Sequence, residues 1–448
     1  MDAESRLDHR GTSAGRPRLK ALVGLLVVPV VVYFWFIWKD GVSVPYQDDW
    51  ALVPLVRLLN HGHLSLAALW TQHLQNRVLF PNLLMLGVLQ LTHFNTKVEM
   101  FVGAGLLTLG LLALLGAQSR VSSRPLALMV PVGFVGLSLI QYLTTLHGYA
   151  VALYLIVAAV MLALFCLLRS ESPSGRAWAL AAVLLGLVAS YSSLQGMAVW
   201  PAGLLLLVVR GRSPRAAVLW SATGVGALAI YLLGLHLGGD GQGAVAAVTH
   251  PQTSLEYLLL LAGAVVPSLP RLGLDLPWLM ALGSVIWVLA AGVVVAALRS
   301  RGRGQALAVP AYLIAMVAAV DIAIVLGRSG LGLGFALNSR YTVFNVWLLA
   351  AAYLGWAEIA LSRRRWTTAA LAVVVCGVCL LQVAGSLHRG LVAGGQLRDQ
   401  HRQEKLLLLH YQSATRAEIY RYAVQNPAVF VPEARYLKRH DLSVFGSP

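Results

Sequence analysis

The chain has 448 residues, of which 12% are charged and 58% hydrophobic; a soluble globular protein carries roughly 25% and 45–50%. Only 30 of the charged residues fall among residues 21–385, too few to solvate a water-soluble domain of that size. A soluble enzyme, a fibrous protein and a disordered chain are excluded, and the body of the protein belongs in a bilayer.

The basic residues set the topology. Of the 20 within 21–385, thirteen form five short clusters between apolar runs: Arg120/Arg124, Arg169/Arg176, Arg210/Arg212/Arg215, Arg299/Arg301/Arg303 and Arg363/Arg364/Arg365. Cationic loops of this kind stay on the cytoplasmic side during insertion. The formal net charge of +16 therefore reports orientation, and no nucleic-acid partner is expected. Cys166, Cys376 and Cys379 all lie in apolar stretches and read as packing residues, not as a disulfide framework.

A spanning helix needs about 20 apolar residues. The first run, 21–38, follows a basic tail (1–20) and is too long and aromatic for a signal peptide. It reads as an uncleaved helix with a cytoplasmic N-terminus. A long outer loop, 39–77, follows. Clear later runs are 98–118, 126–146, 150–168, 216–237, 277–298, 305–326, 341–361 and 367–385, with a shorter pair, 177–192 and 197–209, turning at Tyr191–Gly196. Segments 78–94 and 257–270 are apolar but short or interrupted by polar residues and Pro. They read as re-entrant, interfacial or short spans. The arginine clusters favour an odd number of crossings between residues 39 and 120. The prediction is an all-α polytopic integral membrane protein of about 11–13 transmembrane helices, with a transmembrane domain at 21–385 and a small extracytoplasmic C-terminal cap at 386–448. Chemically varied residues gather on the outer side, including a Gly-rich loop at 238–256 and a loop at 327–340.

The first outer loop carries the clearest chemistry. Asp48 and Asp49, in Gln47-Asp48-Asp49-Trp50, are adjacent carboxylates at a membrane surface, costly unless solvated, paired or metal-bound. One could act as a general base; the structural alternative is a cap at the start of helix 50–60. An interfacial helix with the single charge Arg57 follows, then a turn with His61 and His63 that reads as solvated, a second short apolar stretch ending at Trp70, and a dense polar run, Gln72-His73-Leu74-Gln75-Asn76-Arg77.

This layout resembles the GT-C superfamily of membrane glycosyltransferases, and more narrowly a bacterial group of uncharacterised GT-C-like proteins. The resemblance rests on QDDW at 47–50, LWTQHLQNRVLFPNL at 69–83, YSSLQGMAVWPAGL at 191–204, GRSG at 327–330, NSRY at 338–341 and LSVF at 442–445. The related group carries His-Asn-Glu-His-Arg where this chain has His73-Leu74-Gln75-Asn76-Arg77, so Gln75 replaces a carboxylate. The resemblance implies transfer of a sugar from a polyprenyl-phosphate donor to a glycan, lipid or protein acceptor of the cell envelope, at the outer face of a bacterial plasma (inner) membrane. It implies Asp48 or Asp49 as the base, or as ligands of a divalent cation such as Mg or Mn. A cation should meet the leaving lipid phosphate, and Arg77, Arg328 and Arg340 are the outer-side candidates, with Tyr341 beside the last. His73, Gln75, Asn76, His147, Gln195 and Asp321 complete the substrate-binding candidates. Asp321 is an acidic residue deep in a span, where a carboxylate usually faces a cavity or a partner, such as Arg328. Competing readings are a transporter or lipid-linked saccharide flippase, which would need repeated halves with broken helices, a ligase or polymerase of another fold, and an inactive scaffold.

Overall fold

The computed structural model describes residues 15–172, 175–236, 242–267, 276–300, 305–363 and 365–446. The first fourteen residues of the basic tail, Arg301, Arg303, Arg364, residues 238–241 at the start of the Gly-rich loop and residues 268–270 of the 257–270 segment lie outside the described residues.

The protein is an all-α polytopic assembly. In chain order the main helices are α1 (Gly15–Asp40), α2 (Leu52–Asn60), α3 (Leu79–Thr92), α4 (Thr96–Gln118), α5 (Pro125–Gly136), α6 (Val151–Arg169), α7 (Gly175–Ser190), α8 (Val199–Val209), α9 (Pro214–Leu232), α10 (Gln242–Thr249), α11 (Pro251–Gly263), α12 (Leu276–Arg299), α13 (Ala308–Arg328), α14 (Thr342–Arg363), α15 (Trp366–Leu409) and α16 (Pro427–Arg439). Among the described residues, nine helical segments are long and apolar enough to cross a membrane. They contain α1, α4, α5, α6, α9, α12, α13, α14 and α15. The other two expected spans are the pair 175–190 and 194–209, apolar but shorter. At 16 residues, α7 runs about 24 Å, less than the roughly 30 Å hydrocarbon core. The pair still carries the chain away from the end marked by arginines and back to it, since its turn at Ser192–Gln195 lines the cavity at the opposite end.

Local signals explain where helices start. Asn95 accepts the Lys97 N–H ahead of α4, Ser213 accepts the Ala216 N–H ahead of α9, and prolines open α5, α9 and α11, where a missing N–H costs nothing. The most enclosed helix is α14. Its Trp347 is fully buried, and a side chain at Gly136 of α5 would lie 2.5 Å from that indole, so close approach requires glycine there.

The two ambiguous segments resolve by length and neighbours. The 14-residue α3 does not cross. At its start the Phe80 N–H donates to Tyr191 O, and just past its end the Ser443 N–H donates to His93 O. Tyr191 adjoins the cavity turn and Ser443 belongs to the C-terminal segment, so both ends of α3 lie at the same end of the bundle. One crossing, α4, remains between residues 39 and 120, the odd number that the arginines favour. The 13-residue α11 is also too short to span. It packs antiparallel on α12, with Gly263 against Leu279 and Leu259 against Gly283.

Beyond the bundle, a second hydrophobic core joins Trp50, Leu52, Val53 and Val56 of the first loop to Leu89 and Phe94 and to Leu408, Ile419, Phe430 and Leu437 of the C-terminal region. α15 is continuous for 44 residues, about 66 Å. Its apolar half crosses the bundle and its polar half projects past it to meet the loop.

The topology predicts a labelling pattern. In a chain whose three cysteines are replaced by serine, His63→Cys and His93→Cys should react with a membrane-impermeant maleimide from one side, and Ser122→Cys from the other. Reaction of His93→Cys from the Ser122 side would mean that α3 crosses.

Candidate functional site

Asp48 and Asp49 part ways. Gln47 precedes them with φ of +48°, a left-handed conformation uncommon outside glycine and costly to hold. A 3₁₀ turn at Gln47–Ala51 follows. Asp49 turns inward and is 1% exposed. Its Oδ2 accepts the Tyr46 N–H at 2.9 Å and its Oδ1 the Tyr149 N–H at 2.6 Å. The Tyr46 bond is the reach-back expected of a capping carboxylate. Burial pushes the Asp49 carboxyl upward, against the opposing His147 and the two N–H donors. Asp48 instead turns to a cavity of about 180 Å³.

The cavity wall is built by the ends of several elements. A two-stranded hairpin, β1 (Gln72–His73) and β2 (Asn76–Arg77), pairs Gln72 with Arg77 and His73 with Asn76. Its tip residue Leu74 has φ of +52°. The hairpin delivers His73, Gln75 and Asn76 to one wall. Asn76 Oδ1 accepts from Ser193 Oγ at 2.8 Å and from the Leu194 N–H at 3.2 Å; Gln195 Oε1 also lies against Ser193 Oγ. The turn before α6 supplies His147 and Tyr149, and α13 with the following loop supplies Arg328, Arg340 and Tyr341.

Around Asp48 the charges are complementary. His73 Nε2 lies 3.4 Å from Asp48 Oδ1, an ion pair when the imidazole is protonated. Arg340 donates to Gln47 Oε1 at 3.1 Å. Burial alone would raise the Asp48 carboxyl. His73 beside it, with the charges of His147 and Arg340, reverses this and holds it down to about 2. His147 Nε2 donates to Tyr46 O at 2.9 Å and stands 3.6 Å from Asp49 Oδ1, so it bridges the cavity wall and the buried carboxylate.

Nine expected residues thus meet at one cavity: Asp48, His73, Gln75, Asn76, His147, Gln195, Arg328, Arg340 and Tyr341. Asp49, Arg77 and Asp321 are not on its wall. Arg77 is 5% exposed. Its guanidinium donates to Trp70 O at 3.0 Å and Leu233 O at 2.7 Å, and it stacks on the Trp70 ring at 5.5 Å, so it ties the hairpin to the end of α9. Among the described residues, Asp321 pairs with neither Arg328 nor another arginine; its Oδ1 accepts from Asn345 Nδ2 of α14 at 2.8 Å. His61 and His63 are exposed.

Sequence reasoning passed over what lies behind Asp49. Glu99 of α4 and Glu404 and His401 of α15 are each at most 1% exposed; Glu404 meets the Trp50 side chain, and the side-chain oxygens of Glu99 and nitrogens of His401 have no hydrogen-bond partner among the described residues. His401 packs on the Tyr46 ring at 4.7 Å. The signal was present for Glu99, an acidic residue at the start of an apolar run. For Glu404 and His401 it was hidden by a polar tail that looked solvated.

Among the described residues, no group of three or more His, Cys, Asp or Glu is arranged to hold a metal ion. Among the described residues, the cavity wall offers a divalent cation one carboxylate, Asp48.

Gly148 separates the two acid layers: a Cβ there would lie 2.5 Å from Glu99 Oε2 and 3.2 Å from Asp49 Oδ1. Gly148→Ala should cost about 1–3 kcal/mol through overpacking, read as a lowered Tm in detergent. Gly334→Ala, where a Cβ meets nothing within 4 Å, should leave the Tm in place. An unchanged Tm for Gly148→Ala would show that this layer is loosely packed.

No protein-family model matches the chain, and no curated protein does. Among solved structures the chain is similar to the crystal structure of the Archaeoglobus fulgidus oligosaccharyltransferase tethered with an acceptor peptide containing the NVT sequon via a disulfide bond. The identity is 12% and the TM-score 0.44, with 84% of this chain and 55% of that chain covered. The chain therefore spans about half the length of that enzyme, and at this score the likeness carries no argument about activity.

Proposed function

We propose that the protein is a membrane glycosyltransferase that moves a sugar from a polyprenyl-phosphate donor to a glycan, lipid or protein acceptor of the cell envelope, on the outer face of a bacterial plasma membrane. The observation that carries this reading is one cavity, at the bundle end away from the arginine clusters, with an ionised carboxylate (Asp48) and two arginines (Arg328 and Arg340) on its wall. The arginines suit a phosphate bidentately. The carboxylate suits an acceptor hydroxyl.

In this reading the acceptor oxygen forms a bond to the anomeric carbon while the bond from that carbon to the phosphate oxygen breaks. The lipid phosphate departs with the bonding electron pair and gains negative charge, which Arg328 and Arg340 stabilise. The acceptor proton passes to Asp48. A carboxyl held at about 2 is a weak base. A donor phosphate bound near Arg340 competes for the positive charge that holds it down, so Asp48 becomes more basic when donor is present. Gln75 and Asn76 on the hairpin and Gln195 on the facing turn orient the sugar hydroxyls. Asp49 keeps the loop in place and takes no direct part.

Asp48→Asn should lower transfer by about 10²-fold or more, with insertion into the membrane retained. The measurement is the envelope glycan profile of cells carrying the variant, beside a gene deletion. Full transfer by Asp48→Asn would remove the assignment. Lipid flipping or solute uptake that survives Asp48→Asn but not Asp321→Asn would favour a transporter.

The pH dependence has a defined sign. The folded carboxyl of Asp48 lies below the unfolded value near 4. Its pairing therefore stabilises fully above about pH 4 and is lost as pH falls toward 2. His73→Asn removes the first of the partners that lower it, so the acid limb of the activity profile should move to higher pH. An unmoved limb would mean that His73 does not act on Asp48.

A further inference from the structure

At the opposite end of the bundle lies a second cavity, independent of the activity proposed above. It opens between α7 and α9, where the C-terminal end of α6 and the α8–α9 turn come together, and its volume is about 510 Å³. Its mouth carries Arg176, Arg212 and Ser170; its walls are apolar and include Leu180, Leu219 and Trp220.

The basic residues around this mouth are used unequally. Arg210 is paired with Glu171, and Arg169 stacks on Trp178 at 4.7 Å and Phe165 at 5.7 Å. Arg176 and Arg212, by contrast, have no carboxylate partner among the described residues, although both line the cavity. Two guanidinium groups facing one cleft without a counter-charge attract an anion.

The walls define what kind of anion. Val183 lies eight residues into α7 and Thr223 nine into α9, so the cleft descends about 12–14 Å from the arginine end. Leu180 is 60% and Leu219 69% exposed, on helices whose apolar faces meet the bilayer. A free phosphate ion gains nothing from this apolar depth. A phosphate that carries an acyl chain matches both ends, because burying each methylene is favourable by about 0.8 kcal/mol.

We propose that this cleft binds an anionic phospholipid, with the headgroup phosphate on Arg176 and Arg212 and one acyl chain lying between Leu180 and Leu219 toward Trp220. Trp220 Nε1 donates to Trp200 O at 2.9 Å, which fixes the indole as a rigid apolar floor. Basic pockets between helices at this depth are suited to such headgroups.

The test uses the purified full chain in neutral detergent, titrated with phosphatidylglycerol or phosphatidylcholine and read by native mass spectrometry. Phosphatidylglycerol should be retained in preference to phosphatidylcholine, and millimolar inorganic phosphate should not displace it. Arg176→Gln with Arg212→Gln should weaken phosphatidylglycerol retention by about thirtyfold, roughly a factor of five for each arginine. Arg120→Gln with Arg124→Gln, at the same end but outside the cleft, should leave it unchanged. If the double variant in the cleft fails to fold, Leu219→Trp fills the cleft without altering charge and should also lower retention. Equal retention of the two lipids, or retention unaffected by either cleft variant, would overturn the proposal. Displacement by inorganic phosphate would replace it with a site for a soluble anion.

Discussion

The cavity end of the bundle is organised around the buried carboxylate of Asp49. A buried carboxyl must have its lone pairs satisfied, and Asp49 meets that demand with two backbone N–H groups, one three residues back at Tyr46 and one on a distant segment at Tyr149. The Tyr149 bond pins the first loop to the turn that precedes α6. Because neighbouring side chains in a tight turn point apart, pinning Asp49 inward turns Asp48 outward to the cavity. The left-handed conformation of Gln47 is the local strain that this arrangement imposes, held in place by the surrounding packing.

The C-terminal region completes the enclosure. Arg57 meets Glu433 at 2.7 Å, Asn60 donates to Tyr436 Oη at 3.0 Å, and Gln425 donates to Gln47 O at 3.2 Å. Trp50 packs against Phe430 with ring centres 5.2 Å apart. The acidic loop is thus held between the bundle and the tail. Glu99 and Glu404 are buried in the interior behind Asp49. His147 and His401 are the neighbouring bases.

Much of this was legible in the sequence, for physical reasons that can be named. Apolar runs of membrane length and clustered arginines are strong, local signals, and they located the spanning helices and the two ends. QDDW, HLQNR, SSLQG and NSRY are polar segments next to helix ends, so all were bound to gather at one end of the bundle. Less legible was anything set by how elements lie across one another. The composition of 78–94 is equally suited to lipid and to a protein surface, and only its neighbours make α3 a surface helix. Arg77 looked like a phosphate ligand because its carbonyl partners, Trp70 and Leu233, lie far apart in sequence. Asp321 was matched with an arginine because charge was the only partner visible without the register of α13 on α14. The apolar run at 367–385 ends where hydrophobicity ends, but the backbone has no reason to stop there, and the helix continues to Leu409.

That continuity has a mechanical consequence. α15 is one rod that contacts the bilayer along its first half. Midway, Gln382 holds Ser138 at 2.7 Å and Gly390 lies against Leu139. Further along, Arg398 reaches Asp40 at 3.2 Å before His401 and Glu404 enter the acid layer behind Asp49. A helix that must keep its apolar half within the hydrocarbon adjusts its tilt to the thickness of the membrane. A rod of about 66 Å converts a small tilt at one end into a displacement of several ångströms at the other. Any tilt of that rod would therefore reach the acid layer behind the carboxylate loop.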